Sequence, residues 1–120
     1  MTKTALVTGA GRRFGFEVAK ALIEDGYKVF AHYNRSKDGV DELSKLGAEP
    51  VQADFTRQDD VNALVAQVKK DAPTLDLLIN NASCFFDNDT VDNDPEALAA
   101  VFQVHNVAPY LLITGLQQQL

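Results

Sequence analysis

Two arginines stand inside a glycine-rich turn, Thr8-Gly9-Ala10-Gly11-Arg12-Arg13-Phe14-Gly15, which follows the apolar run from Thr4 to Thr8. That mixture suits the capture of a phosphate. Gly9 can adopt the φ that a sharp turn demands. Gly11 lets backbone N–H groups approach an anion with no Cβ in the way, and Gly15 lets a helix start close to its neighbours. A helix N-terminus adds unpaired N–H donors and partial positive charge. Three residues separate Gly11 from Gly15, so the spacing departs from the common G-x-G-x-x-G. Taken alone, such a glycine pattern also fits an unliganded turn. Its place after a strand and before a helix, and the arginines Arg12 and Arg13, favour phosphate binding.

A second group, His32-Tyr33-Asn34-Arg35-Ser36, stands at the end of another apolar run and contains no acid. A carboxylate there would hold the ribose 2′-hydroxyl of NAD. Arg35 can instead pair with a 2′-phosphate through two parallel N–H bonds, and Ser36 can add a hydroxyl. The expected cofactor is therefore NADP(H). Asp54, followed by Phe55, has two open readings: acceptor for an adenine amino group, or start of the next turn. His32 lies within the strand and reads as a packed residue rather than a base. Cys84 is the only cysteine. It has no ligand partner at metal spacing and reads as a passive thiol in a reducing compartment.

The elements that must position these groups alternate regularly. Strands are expected at Thr4 to Thr8, Lys28 to Tyr33, Pro50 to Ala53 and Leu75 to Asn80. Helices are expected at Gly15 to Asp25, at 38–46, after Thr56, and from Asp94-Pro95-Glu96 toward Leu120. In the third helix Val61, Leu64, Val65 and Val68 follow the i, i+3, i+4, i+7 stripe, with Thr56 as its expected N-cap. Asp94 before Pro95 has the form of an N-cap with proline at the first helical position. Strands joined by helical crossovers run parallel, so the expected fold is a doubly wound, Rossmann-like α/β sheet of four βα units, with helices on both faces. The 120 residues form one expected domain. A net charge of −6 argues against nucleic acid and anionic membrane as general partners. No uninterrupted apolar run reaches membrane-spanning length and no signal peptide is evident, so a cytoplasmic location is expected.

Together these motifs resemble the short-chain dehydrogenase/reductase family. The matching residues are Thr8-Gly9 with Gly15, Asp54 after the third strand, Asn80-Asn81-Ala82 after the fourth, and Asn106 in the last helix. The resemblance is closer to the pteridine-reductase-like branch. Arg13 stands where that branch has arginine in T-G-x-x-x-R-x-G, His32 to Ser36 match H-Y-x-R-S, and Asn80 to Phe85 match N-N-A-S-x-F. The resemblance implies hydride transfer from NADPH to a carbonyl or pterin-like small molecule. It places Gly9, Gly11, Arg12, Arg13, Phe14, Gly15, Asn34, Arg35, Ser36, Asp54, Phe55, Asn81, Ala82 and Ser83 on the cofactor. It places Arg13, Ser83 and Phe85 on the substrate. Asn106 matches the asparagine of a catalytic tetrad in which the backbone carbonyl at that position holds a relay water. Pro109 has no N–H, so the helix is expected to kink near His105. The long helix, 95–120, is the expected surface for homo-oligomer formation.

The tetrad also needs a tyrosine with a lysine four residues on. Only Tyr33 with Lys37 has that spacing, and it sits at the adenosine end of the expected cofactor. The catalytic pair and serine are therefore expected downstream, and the chain is expected to be the N-terminal part of a longer reductase, inactive by itself.

Overall fold

A computed structural model describes residues 2–84, 90 and 93–120. Strands β1 (Thr4–Val7), β2 (Lys28–Tyr33), β3 (Glu49–Gln52) and β4 (Leu77–Ile79) form one parallel sheet in the order β3-β2-β1-β4. Alternate residues face opposite sides, as a pleated strand requires. Leu6, Phe30 and Val51 point into one core, with Val61, Leu64 and Val68 of helix α3 (Gln58–Asp71). Ala5, Val7, Val29 and Ala31 point into a second core. That core holds Ala19 of α1 (Arg13–Glu24) and Leu43 of α2 (Lys37–Lys45). Helices thus cover both faces, as expected.

The last helical stretch begins at α4 (Pro95–Phe102), widens into a π turn (Gln103–Val107) and continues as α5 (Ala108–Gly115). The Asp94 side chain accepts the Glu96 N–H at 3.0 Å, so the expected cap is present. Val104, Ala108, Leu112 and Leu116 join the core beside α3. The Leu75 N–H donates to the Gln119 carbonyl at 2.7 Å and ties the end of this stretch to the approach of β4. Although no apolar run is uninterrupted, the 21-residue helix Pro95–Gly115 has a window of mean hydropathy 1.4, enough by length and composition to match a membrane span. Here it packs on a sheet, and Leu98, Phe102, Tyr110 and Ile113 remain exposed.

Three local expectations are corrected. Helix α1 starts at Arg13, two residues before Gly15, and Arg13 takes the left-handed φ of +56°. Thr56 does not cap α3. Its hydroxyl donates to the Asp54 carboxylate at 2.7 Å, and its N–H does so at 3.0 Å. Thr56 lies one residue before the flanking position of α3, which Arg57 occupies without a side-chain cap. Strand β4 is also shorter than expected. It forms the sheet's edge, with each of its residues only partly buried.

Candidate functional site

The strand order reverses between β1 and β4. β2 and β3 lie on one side of β1, and β4 lies on the other. Open α/β sheets take ligands at such a point, beyond the carboxyl ends of the strands. A cleft of about 330 Å³ opens there. Its walls are the turn after β1 (Gly9, Gly11, Arg12, Arg13, Phe14), the end of β2 (His32 to Ser36) and the loop after β4 (Asn81, Ala82, Ser83). Three segments far apart in sequence thus meet as expected. Among the described residues no carboxylate lines this cleft, while Arg12, Arg13 and Arg35 do. The wall chemistry selects an anion in a chain whose net charge is negative.

The turn is rigidly supported. A Cβ on Gly15 would collide with the Gly9 carbonyl oxygen, and one on Gly11 with the Ser36 carbonyl. Gly39, which sequence reasoning passed over, packs so closely on Gly11 that its own Cβ would strike the Gly11 carbonyl. These approaches bring α1 and α2 up to the turn and leave Arg12, Arg13 and Phe14 exposed on the cleft side. Among the described residues Arg13 is the only one other than glycine with positive φ. A left-handed φ costs an L-residue roughly 1–2 kcal/mol. Such strain persists where the surroundings over-determine it, commonly at functional sites.

Thr8 fastens the turn to the loop after β4. Its hydroxyl oxygen accepts the N–H groups of Asn81 and Ala82, each at 2.9 Å, and the Asn81 amide donates to the Gly9 carbonyl at 3.2 Å. His32 fastens the turn to β2 and β3. Its Nδ1 accepts the Gly9 N–H at 3.0 Å, and its Nε2 lies 2.8 Å from the Ala53 carbonyl. A carbonyl can only accept, so the ring is the neutral Nε2–H tautomer. It is 3% exposed and stacks on Phe55 with centroids 4.0 Å apart. Burial drives its pKa down to about 4 and outweighs the opposing hydrogen bond to Ala53. The reading of His32 as a packed strand residue is right, but its role as a three-way tie was missed. The available signal was one titratable side chain within the apolar run of β2.

Gly15, Asp54, Phe55 and Asn106 fall outside the cleft walls. Gly15 supports the turn from behind. Phe55 is buried against His32. Asp54 accepts both bonds from Thr56 through Oδ1 at the start of the next turn. Its carboxyl is held below its usual pKa, first by the Thr56 hydroxyl, against the opposing effect of burial. Asn106 is exposed on the π turn. There the Ala108 N–H donates to the Gln103 carbonyl and Pro109 has no N–H. The carbonyls of Val104 and His105 therefore lose their α-helical donors. The expected irregularity of the helix is this π turn. Burial, then the Asp54 charge, pushes the Cys84 thiol up, in keeping with a passive thiol. Phe85 lies outside the described residues.

The short chain dehydrogenase family model matches residues 3–120. The chain belongs to the short-chain dehydrogenase family. Dihydromonapterin reductases are among its relatives. That of Escherichia coli is 34% identical over 115 residues, covering 96% of this chain and 48% of the relative. That of Citrobacter koseri is 32% identical with the same coverage. Among solved structures, FolM alternative dihydrofolate reductase 1 from Brucella canis, complexed with NADP, is 31% identical with a TM-score of 0.86. The match covers 98% of this chain and 49% of that one. A short chain dehydrogenase from Burkholderia cenocepacia, in complex with NADP, is 29% identical with a TM-score of 0.85, covering 98% and 51%. This short-chain dehydrogenase chain spans about half the length of the curated relatives it matches.

Proposed function

We propose that residues 1–120 form the NADP(H)-binding domain of a cytoplasmic reductase that passes hydride from NADPH to a carbonyl or pterin-like small molecule. The observation that carries this reading is the cleft at the strand-order reversal, walled by Arg12, Arg13 and Arg35 with no carboxylate among its described residues. In this assignment the pyrophosphate lies on the turn from Gly9 to Gly15, and Asn34, Arg35 and Ser36 hold the 2′-phosphate. Asn81, Ala82 and Ser83 run along the nicotinamide end. Asp54 and Phe55 border the adenine. Arg13, Ser83 and Phe85 face the substrate, and Asn106 belongs to the proton relay. The relatives named dihydromonapterin reductase support a pterin-like substrate.

The Tyr-x-x-x-Lys pair that the family's chemistry requires has no match here other than Tyr33 and Lys37, which lie at the adenosine end. This supports a second reading, a cofactor-binding or oligomerisation unit without turnover of its own. The exposed Leu98, Phe102, Tyr110 and Ile113 favour a second copy as the protein partner on the long helix.

Calorimetric titration with NADPH and with NADH tests the cofactor assignment. Tighter binding of NADPH, abolished in Arg35→Asp, is the expected result. Equal affinity for the two cofactors would overturn it.

A further inference from the structure

The loop after β4 is held at two points. Its beginning is tied to Thr8 through the N–H groups of Asn81 and Ala82. Its last described residue, Cys84, is met by the helix. His105, in the π turn, places Nε2 3.0 Å from the Cys84 nitrogen and 3.0 Å from the Cys84 carbonyl oxygen. Between these two ties stands Ser83, exposed on the cleft wall. The position of Ser83 therefore depends on both.

One ring nitrogen cannot accept and donate at once. With the proton on Nδ1, Nε2 accepts the Cys84 N–H. With the proton on Nε2, it donates to the Cys84 carbonyl. Both partners are equally distant, so the ring exchanges one bond for the other without moving. The tie thus survives either tautomer. The π turn contributes the placement, because the extra residue in the turn shifts the register of the side chains that follow. The neighbouring Asn106 is exposed, and its side chain makes no hydrogen bond among the described residues.

We propose that His105 is a positioning residue that grips the Cys84 backbone from the π turn and so fixes where the loop presents Ser83 to the cleft. The assignment of that cleft to NADP(H) is the reading on which the functional consequence rests. His105 does not line the cleft and acts through the loop. A glutamine amide reaches as far as Nε2 and carries a donor and an acceptor together, so Gln can replace His105 where an apolar side chain cannot.

Cys84 is the single cysteine and thus a built-in reporter. Its labelling rate by an aromatic disulfide reagent is measured in the wild-type chain, His105→Gln, His105→Leu and Asn106→Ala, without cofactor. His105→Leu is expected to label about fivefold faster, the equilibrium equivalent of one lost hydrogen bond. His105→Gln and Asn106→Ala are expected to stay within about twofold of wild type on the same basis. If His105→Leu fails to fold, as judged by circular dichroism, His105→Ser stands in, since its hydroxyl is too short to reach Cys84. Wild-type labelling in His105→Leu, or equal acceleration in His105→Gln and His105→Leu, would overturn the proposal. NADPH titration of the same proteins separates the two readings. Failure of every protein to bind NADPH, with the labelling pattern intact, removes the cofactor assignment and leaves the tie standing.

Discussion

Replacing His32 with phenylalanine keeps a flat ring against Phe55 but removes both hydrogen bonds of the imidazole. The Gly9 N–H and the Ala53 carbonyl are then left unpaired beneath the turn. An orphaned buried polar group costs about 1–3 kcal/mol, and relaxation of the exposed turn lessens the sum, so a total near ~3 kcal/mol is expected at neutral pH. The pH dependence is the sharper test. His32 titrates at about 4 in the folded chain, below its ordinary 6.5. As pH falls, the unfolded chain takes up this proton first. Stability due to neutral His32 is therefore complete above pH 6.5 and is lost progressively down to about 4. One proton contributes roughly 1.4 kcal/mol per pH unit across that window. Urea unfolding of wild type and His32→Phe at pH 7 and pH 5 cancels the carboxylate titrations common to both. The difference in stability between the two proteins is expected to shrink by roughly 2 kcal/mol from pH 7 to pH 5. A difference that stays constant with pH would refute the neutral, doubly bonded imidazole.

Arg13→Gly relieves the left-handed φ, worth roughly 1–2 kcal/mol, against a chain-entropy loss of about 0.5–1 kcal/mol. Thermal or urea unfolding is expected to show equal or slightly higher stability, while NADPH titration shows affinity about tenfold weaker, as for one lost charged hydrogen bond. A less stable Arg13→Gly would contradict the strain argument. Gly15→Ala drives a Cβ into the Gly9 carbonyl. It is expected to lower stability by more than ~2 kcal/mol, whereas Gly26→Ala, with open space around it but φ at +93°, should cost only about 1 kcal/mol in the same unfolding assay. Asp94→Ala removes the cap on α4 and should cost about 1 kcal/mol by urea unfolding, with NADPH affinity unchanged.

Periodicity determined the alternating elements, and the strand–glycine–helix order determined where an anion site would lie. Those signals are local, so they were legible in the chain. The absence of an acid after β2 and the presence of Arg35 likewise needed no coordinates. The Asp94-Pro95 start and the disturbance around Pro109 followed from backbone chemistry alone. What the sequence could not supply was the choice among partners for groups with several options. Thr56 had the form of a cap, yet α3 starts one residue too late for it and Arg57 takes the flanking position. Thr8, His32, Gly39 and His105 make their contacts across large sequence separations or between packed helices, and no spacing rule encodes those meetings. The tertiary structure alone decided that an imidazole within β2 would hold the glycine turn to the end of β3. It also decided that a second imidazole on the last helix would meet the backbone of Cys84, because such bonds depend on the strand order and helix packing that bring the segments together.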